Sequence, residues 1–281
     1  MTDLSIIILN YKNIKILQEC LESIPQSIKN ISIEIIVVDN NSQDGSGAMV
    51  RKIFPQVTLI ENQENSGFAK ANNLGLKVAT GRYQMLLNND TIVKEGALER
   101  MVRFMDQNKE AGACGPLLLN TDGTPQRQGG LFGSRFWKSD QPKAVQFVIG
   151  AALLVRREVI EQVGLMDENL FFYNDDLDWC LRIRKAGWKI FFLPQAEIVH
   201  YGGYSSKRTF NPRLFVEGFR GGLYFTRKHY GVLAYSAYRL LLIIALSLFL
   251  ILQVFNHPKF GAYLQIIQIA ARGQIPDPMI K

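Results

Sequence analysis

Short apolar runs alternate with amphipathic segments along the first hundred residues of the chain. The runs are nearly continuous, as expected for strands buried on both faces of a sheet, and occupy residues 4–10, 33–40, 57–61 and 82–90. Between them apolar residues recur at helical spacing, which predicts helices at residues 14–24, 46–54, 68–79 and 95–105. This alternation predicts a Rossmann-like α/β fold, with a mainly parallel, doubly wound sheet and flanking helices.

The pattern is less regular from about residue 110 onward. Asp122 and Gly123 predict a hairpin turn, and the polar, glycine-rich residues 124–144 predict a mobile loop. Residues 145–159 predict two strands separated by a break at Gly150, the second running into a helix. Two further short strands are predicted at residues 188–194 and 196–201.

Polar side chains collect where the predicted strands end. In doubly wound sheets, ligands bind beyond the carboxyl ends of the strands. Seven polar or acidic residues occupy those positions: Asn10, Asp39, Asn40, Asn41, Asn88, Asn89 and Asp90. A ligand site is therefore expected at this edge of the sheet.

The composition is that of an ordinary globular protein. The chain has 281 residues, of which 47% are hydrophobic and 20% charged, and this length suffices for a full core. Its three cysteines are isolated, which argues against a CxxC zinc cluster and fits a reducing compartment. No basic segment precedes the first apolar run, so a cytosolic location is expected rather than a signal peptide. The sequence lacks GxGxxG, which argues against a nicotinamide-dependent dehydrogenase.

Positive charge is concentrated between residues 202 and 239. This segment carries seven Lys or Arg residues against one acid, in a chain of net charge +7. The apolar run that follows, residues 240–255, is shorter than the ~20 residues of a spanning helix. A basic segment beside an apolar run indicates peripheral contact with an anionic membrane surface; the alternative is a core helix of a homo-oligomer. Nucleic-acid binding is disfavoured, because the basic segment has no recognition motif.

Three aspartates stand at the start of a predicted helix in residues 171–188, FFYNDDLDWCLRIRKAGW. Asn174 is expected to cap the helix, which would run over about residues 175–186. Asp178 is spaced to form an ion pair with Arg182, four residues later.

The other two aspartates, Asp175 and Asp176, lie in the first helical turn, where the helix dipole favours their ionised forms. Capping alone accounts for such residues, but a carboxylate beyond the one that capping needs, beside aromatic residues, also suits a general base in a cleft. Asp90 is chemically suited to hold Mg²⁺ or Mn²⁺ and is equally typical of a turn or cap. His200 follows an apolar segment, and imidazole is a common metal ligand as well as a common core residue.

Six stretches, taken in order, resemble family 2 glycosyltransferases of the GT-A fold, and bacterial rhamnosyltransferase-like members in particular. They span about residues 4–205 and read VVDNNSQDGS, ENSGFAKANNLGL, LLNND, GAALLVRREVIEQVGLMDENLFFYNDDLDWCLR, GW and VHYGG. The resemblance implies a GT-A catalytic domain at residues 1–205, with a nucleotide-sugar-binding half at about 1–110 and an acceptor half at about 111–205. It also implies that residues 206–281 form a helical region that associates with a membrane or with a second copy.

The resemblance implies roles for individual residues as well. Asp176 is expected to be the general base, and Asp175 stands where the family usually has glutamate. Asp90, the last residue of a DxD-like element that reads NND here, is expected to hold Mg²⁺ or Mn²⁺ together with His200. Eight residues are expected to bind the nucleotide sugar: Asn10, Asp39, Asn41, Asn65, Gly67, Asn88, Gly150 and Ala151.

The function implied is inverting transfer of a sugar, best matched by L-rhamnose from dTDP-L-rhamnose, to a saccharide or lipid-linked saccharide acceptor in bacterial cell-surface polysaccharide synthesis. Two alternatives stay open. One is a transferase that uses another UDP- or GDP-sugar. The other is a catalytically impaired saccharide-binding relative, because Asp175 and Asn88 depart from the family pattern. A nucleotidyltransferase is disfavoured, since no glycine-rich phosphate loop follows the first strand. The expected location is the cytoplasm, peripheral at the inner face of the cell membrane.

Overall fold

The computed structural model describes residues 2–26, 28–128, 135–202, 210–252, 259–273 and 275. The first half alternates strand and helix, and its elements are β1 (Leu4–Asn10), α1 (Ile14–Gln26), β2 (Ile33–Asp39), α2 (Ser46–Ile53), β3 (Thr58–Glu61), α3 (Phe68–Val78), β4 (Tyr83–Asn88), β5 (Thr91–Val93) and α4 (Ala97–Gln107). The strands and helices predicted for this half are confirmed. The structure adds β5, a three-residue strand directly after Asp90.

The second half is less regular and ends in long helices. Its elements are β6 (Ala111–Leu119), β7 (Lys143–Val145), β8 (Ala152–Arg156), α5 (Arg157–Val163), α6 (Asp175–Lys185), β9 (Lys189–His200), α7 (Pro212–Leu252) and α8 (Phe260–Arg272). The hairpin turn is confirmed, because Gly123 has φ of 82° and its N–H donates to the Asn120 carbonyl at 2.9 Å.

Three predictions for this half are wrong. The two strands expected at residues 188–201 are the single strand β9, which bends at a register shift against β6 instead of ending. The strand expected just before Gly150 lies earlier, as β7. The loop predicted at residues 124–144 is not mobile surface throughout, since Phe136 and Trp137 are buried against Phe192, and residues 129–134 lie outside the described part of the chain.

The nine strands form one mixed sheet. Its main path has the order β3–β2–β1–β4–β8–β6–β9–β5, and β7 pairs with β9 beside this path. Strands β3, β2, β1 and β4 are parallel, whereas β8 is antiparallel to β4 and β6. Asn10 pairs with Asp39 and Thr91 pairs with His200. The predicted gathering of polar residues at the carboxyl edge of the sheet is therefore confirmed.

Helices cover both faces of the sheet. Successive residues of β1 point to opposite faces, as the two-residue period of a strand requires. Ile6 and Ile8 pack into a cluster that includes α1 and α4, whereas Ile7 packs into one that includes α3, α5 and α6. Burial on both faces explains why β1 reads as a continuous apolar run.

Helix α7 consists of two helices joined at Gly231. This residue has φ of 80° and ψ of −174°, a conformation almost restricted to glycine. It divides α7 into a first leg (212–230) and a second leg (232–252). Leu223 packs with Tyr235, and Val216 lies in one cluster with Leu246, so the legs run antiparallel. Helix α8 packs into the same two clusters and completes a three-helix bundle.

The second leg has an apolar face that is exposed to solvent. We call six of its exposed side chains the apolar stripe: Leu233, Leu240, Leu241, Ile244, Leu248 and Ile251. By length and composition, α7 is also long and apolar enough to cross a membrane. The predicted apolar run is helical through residue 252, whereas residues 253–255 lie outside the described part of the chain, as do Lys207 and Arg208 of the basic segment.

Candidate active site

A hydrogen-bond network fixes the side chains where β1, β2 and β4 end. Asp39 is buried, and its Oδ1 accepts hydrogen bonds from Asn10 Nδ2 at 2.9 Å and from the Ser42 hydroxyl. Asn89 Nδ2 donates to Asn10 Oδ1 at 2.7 Å. Asp39 Oδ2 accepts the Ser42 N–H at 3.3 Å, a longer contact that leaves this oxygen able to accept from a ligand hydroxyl.

A second network shapes the loop between β3 and α3. Asn40 Oδ1 accepts hydrogen bonds from Asn62 Nδ2 at 2.9 Å and from the Ser66 N–H at 3.1 Å. Asn65 Oδ1 accepts from Asn40 Nδ2 at 2.8 Å and from the Gly67 N–H at 3.1 Å. Asn65 therefore stabilises the loop, because its side-chain oxygen bonds both Asn40 and the Gly67 backbone.

Gly67 is the point where this loop meets the segment leading into α6. Its φ is 83°, and a Cβ at this position would lie 2.6 Å from the Phe171 carbonyl oxygen, so only glycine fits. The Phe68 N–H donates to the same oxygen at 2.7 Å. Asn41, by comparison, is half-buried, has φ of 63°, and accepts a hydrogen bond from Gln43 at 3.0 Å.

Asp90 and His200 lie together where β5 pairs with the end of β9. His200 Nε2 is 3.3 Å from Asp90 Oδ1, and each side chain is 10% exposed. Asn88 Nδ2 is 3.4 Å from the same ring nitrogen. His200 Nδ1 is 2.7 Å from Gln126 Oε1, which can only accept, so the ring proton is assigned to Nδ1. Nε2, the other ring nitrogen, is the one that faces Asp90.

This pair fits a divalent cation on its chemistry. One carboxylate oxygen and one imidazole nitrogen are suitable ligands for Mn²⁺ or Mg²⁺ when phosphate and water oxygens complete the shell. A metal-binding histidine usually donates its other ring N–H to a fixed acceptor, which is the position of Gln126. Within the described residues, no group of three or more His, Cys, Asp or Glu side chains is gathered for a metal. A bound diphosphate and water would supply further oxygen ligands.

Gly150 and Ala151 connect this pair to Asp176. The Asn88 N–H donates to the Ala151 carbonyl at 2.9 Å, and the Gly150 N–H donates to Asp176 Oδ2 at 3.1 Å. Asp176 Oδ1 accepts the Leu177 N–H at 2.8 Å, and the residue is partly exposed. Asn88, whose side-chain amide lies 3.4 Å from His200 Nε2, and Asp176 are thus hydrogen-bonded to adjacent residues of one backbone segment.

Asp175 and Asp176 have different surroundings. Asp175 is 4% exposed, and its Oδ2 has no hydrogen-bond partner among the described residues. Burial, reinforced by the charge of Asp176, raises the pKa of Asp175 to about 8. Burial also raises the pKa of Asp176, although the N–H groups of Gly150 and Leu177 oppose the rise by stabilising the carboxylate. The two backbone N–H donors thus favour the negative charge of the pair on Asp176 and its proton on Asp175.

The helix dipole is expected to favour the ionised forms of both carboxyl groups, and at Asp175 an opposing effect outweighs it. The physical reason is its burial, which disfavours the charged form by more than the dipole favours it.

Asp178 makes the ion pair that its spacing predicts. Its carboxylate lies 2.8 Å from Arg182 Nε, 2.6 Å from Lys228 Nζ and 2.7 Å from His229 Nε2. Burial opposes ionisation, but hydrogen bonds from these three side chains hold the pKa of Asp178 below its ordinary value. His229 thus has a buried carboxylate as its partner, and His257 lies outside the described residues.

Asn174 does not cap α6 through its side chain, contrary to the prediction. Its φ is 63°, and its Nδ2 donates instead to the Gly218 carbonyl in the first leg of α7, at 2.9 Å. Tyr173 before it has φ of 64°. Two successive left-handed residues other than glycine persist only where their surroundings impose them, and here the first leg supplies that constraint.

The sequence did not identify two residues that position these groups. Ser42, which bonds Asp39, lies within the stretch VVDNNSQDGS, and its place three residues after the aspartate fits a turn hydrogen bond. Gln126, which orients His200, is 74 residues distant in the chain and carries no local signal.

Comparison with known proteins identifies the class. The sequence model of glycosyl transferase family 2 matches residues 5–164, and that of glycosyl transferase family group 2 matches residues 85–255. The first match alone covers more than half of the chain, so the protein is a glycosyltransferase. It belongs to glycosyl transferase family 2, as the resemblance implied.

Individual relatives are similar at modest identity. N-acetylglucosaminyl-diphospho-decaprenol L-rhamnosyltransferase of Mycobacterium tuberculosis is 28% identical over 211 residues, which cover 63% of this chain and 69% of that protein. The dTDP-rhamnosyl transferase RfbF of Shigella flexneri is 26% identical over 196 residues, 66% of each chain. These relatives support the rhamnosyltransferase-like resemblance.

A solved structure agrees with the fold. The mannosyltransferase PcManGT from Pyrobaculum calidifontis, in complex with GDP-Man and Mn²⁺, superposes with a TM-score of 0.61 at 18% identity, over 96% of this chain and 75% of that one. The predicted α/β fold of GT-A type with a C-terminal helical region is therefore confirmed.

Proposed function

We propose that this glycosyltransferase transfers L-rhamnose from dTDP-L-rhamnose, with inversion, to a polyprenyl-linked saccharide in the synthesis of a bacterial cell-surface polysaccharide. The Gly150–Ala151 segment carries this proposal, because Gly150 bonds Asp176 and Ala151 bonds Asn88, whose side chain lies at the Asp90–His200 pair. Inversion requires a base on one side of the transferred sugar and a site for the departing diphosphate on the other, and this edge of the sheet offers both.

Asp176 acts as the general base. One of its carboxylate oxygens takes the proton from an acceptor hydroxyl while the hydroxyl oxygen attacks the anomeric carbon. The bond from that carbon to the nucleotide diphosphate breaks, and its electron pair leaves with the diphosphate. Asp175, protonated at neutral pH, keeps a second negative charge away from the base.

Asp90 and His200 would hold the divalent cation, and Gln126 would keep His200 Nε2 aimed at it. When bound, Mn²⁺ or Mg²⁺ offsets the negative charge that grows on the leaving diphosphate. Asn88, whose amide lies beside the same histidine nitrogen, is placed to donate to a phosphate or ribose oxygen.

The proposed nucleotide-sugar site follows the carboxyl edge of the sheet. Asn10 and Asp39 form its base or ribose end, and Asn41, Asn65 and Gly67 belong to the two loops beside them. Gly150 and Ala151 lie next to the transferred sugar, because they separate the proposed metal ligands from the proposed base. Residues 1–110 would bind most of the donor, and residues 111–205 would bind the acceptor and complete the donor site through Gly150, Ala151 and His200.

The names of two relatives support rhamnose as the sugar, and one of them supports a prenyl-linked acceptor. The solved neighbour in complex with GDP-Man keeps another nucleotide sugar as the competing candidate. A catalytically impaired, saccharide-binding protein is a further candidate, which the measurement below separates by donor hydrolysis.

The apolar stripe and the basic first leg support peripheral attachment at the inner face of the cell membrane. An interfacial helix typically has one apolar face and basic residues nearby, and each Lys or Arg near an anionic surface adds about 1 kcal/mol. A homo-oligomer that covers the stripe is the competing arrangement.

The decisive experiment compares nucleotide sugars in the presence of Mn²⁺. Saturating dTDP-L-rhamnose, at about a hundred times its Kd, should stabilise the fold by about 3 kcal/mol, and GDP-mannose or UDP-N-acetylglucosamine should do so much less. Slow hydrolysis of the same donor should follow. A larger shift with another nucleotide sugar would replace rhamnose, and binding without hydrolysis or transfer would indicate the impaired relative.

A further inference from the structure

A pocket of about 490 Å³ lies between the segment that leads into α6 and the two legs of α7. This volume is within the range of small-molecule sites. Its main side-chain walls, called the aromatic pocket below, are Tyr173, Leu214, Phe215, Phe219 and Tyr238, with Asn174 at one side.

The aromatic pocket adjoins the residues that precede the proposed base. Tyr173 and Asn174 line it and are followed directly by Asp175 and Asp176. The hydrogen bond from Asn174 to the Gly218 carbonyl fixes this wall against the first leg. A ligand in the pocket therefore contacts the same segment that positions the base.

The lining favours an apolar ligand. Among the described residues that line the pocket, none carries a carboxylate, ammonium or guanidinium group. Lys259 Nζ lies over the rings of Phe210 and Phe215, 5.1 and 5.3 Å from their centroids, and is not part of the lining. A charged group inside the lining would lose its hydration, which is costly, whereas a hydrocarbon chain would gain from leaving water. The space exists because Gly218 and Gly222 lack side chains on the face of the first leg that lines it.

The pocket also reaches the second leg, because Tyr238 of that leg lines it. By helical spacing, Tyr238 lies on a different face from the apolar stripe and on the side that packs into the bundle.

We propose that the aromatic pocket binds the first isoprenoid units of a polyprenyl-linked acceptor and so places its saccharide at Asp176. This inference rests on the proposed function, because it assigns a subsite to the acceptor named there. In this arrangement the lipid is not chemically altered. Its binding sets the distance between the acceptor hydroxyl and the base.

Farnesyl phosphate is a suitable probe, titrated into the full chain by calorimetry below its micelle concentration, with inorganic phosphate as the headgroup control. Wild type should bind farnesyl phosphate and not inorganic phosphate. Gly222→Leu should weaken farnesyl phosphate binding at least tenfold, because its side chain would enter the pocket opposite Tyr238. Gly261→Leu is the matched control, since a side chain there meets open space, and its affinity should equal that of wild type.

Equal affinity in wild type and Gly222→Leu would overturn the proposal, as would wild type that does not bind the probe. If Gly222→Leu does not fold, Tyr238→Ala takes its place, and it should also weaken binding by removing one wall. A different result would contradict the proposed function. If wild type binds farnesyl phosphate but neither binds nor hydrolyses dTDP-L-rhamnose, the proposed reaction is wrong and the pocket assignment still holds.

Discussion

The free energy of unfolding of Asp175→Asn, taken relative to that of wild type, should increase as the pH rises. Burial and the neighbouring charge raise the pKa of Asp175 from 3.8 to about 8. Between pH 5 and pH 7 the folded protein thus keeps this proton, whereas the unfolded chain has released it. Stability falls with rising pH wherever the folded state binds more protons, so ionisation at Asp175 opposes folding in this window.

The size of the effect follows from one proton. Each pH unit changes the free energy of unfolding by about 1.4 kcal/mol, so wild type should lose about 3 kcal/mol of this contribution between pH 5 and pH 7. Asp175→Asn has no such proton. Its buried amide is expected to cost on the order of 1–3 kcal/mol at every pH. This cost shifts the difference in free energy of unfolding between the two proteins by a constant and does not change how that difference depends on pH.

Thermal unfolding at pH 5, 6, 7 and 8 measures this difference. The melting temperature of Asp175→Asn relative to wild type should rise by roughly 6 to 12 °C from pH 5 to pH 7 and level off above pH 8. Asp140→Asn removes a carboxylate from an exposed position and serves as the control. A difference between Asp175→Asn and wild type that does not change with pH would refute the assigned pKa.

Further measurements address the other assignments. Asp176→Asn should reduce turnover at least ~10²-fold with donor affinity retained, and a loss under tenfold would point to another base. Asp90→Ala should abolish Mn²⁺-dependent binding of nucleoside diphosphate in calorimetry, and His200→Ala should weaken it less; unchanged affinity in Asp90→Ala would leave that residue a purely structural part. Arg213→Glu should weaken binding to anionic vesicles about fivefold or more and leave neutral vesicles unaffected, whereas equal binding would argue for an oligomer contact. Gly231→Ala should lower the free energy of unfolding by about 1–3 kcal/mol because of its φ and ψ, and no loss would show that the bend relaxes freely.

The parts of the site that lie at strand ends could be predicted from the sequence. Asp39, Asn88 and Asp90 follow buried apolar runs, and the geometry of a parallel sheet brings such positions together. Asp178 could be paired with Arg182 because helical spacing fixes their distance. Local rules were sufficient in these cases, since each depends on one strand end or one helical turn.

The remaining features depend on contacts between distant segments. Asn174 is a good cap by local rules, but the Gly218 carbonyl, 44 residues later, takes its side chain. Asp175 has the sequence surroundings of an ionised helix-start residue, and only its burial in the fold raises its pKa. The fold-back of α7 depends on the backbone angles of Gly231 inside an otherwise helical pattern. The sequence pattern alone does not show these long-range contacts, this burial or these backbone angles.

The pairing of β5 with the end of β9 has a consequence for the order of assembly. Strands β1 to β4 can pair once about 90 residues exist, but Asp90 meets His200 only after 110 more residues have been made. At a synthesis rate of roughly 5–20 residues per second, this interval is on the order of 5 to 20 s. We expect ribosome-bound chains arrested before residue 200 to lack the Mn²⁺ affinity that longer ones acquire, and equal affinity in both would contradict this. The growing enzyme would then stay unable to hold a metal-bound donor until its acceptor half has been made.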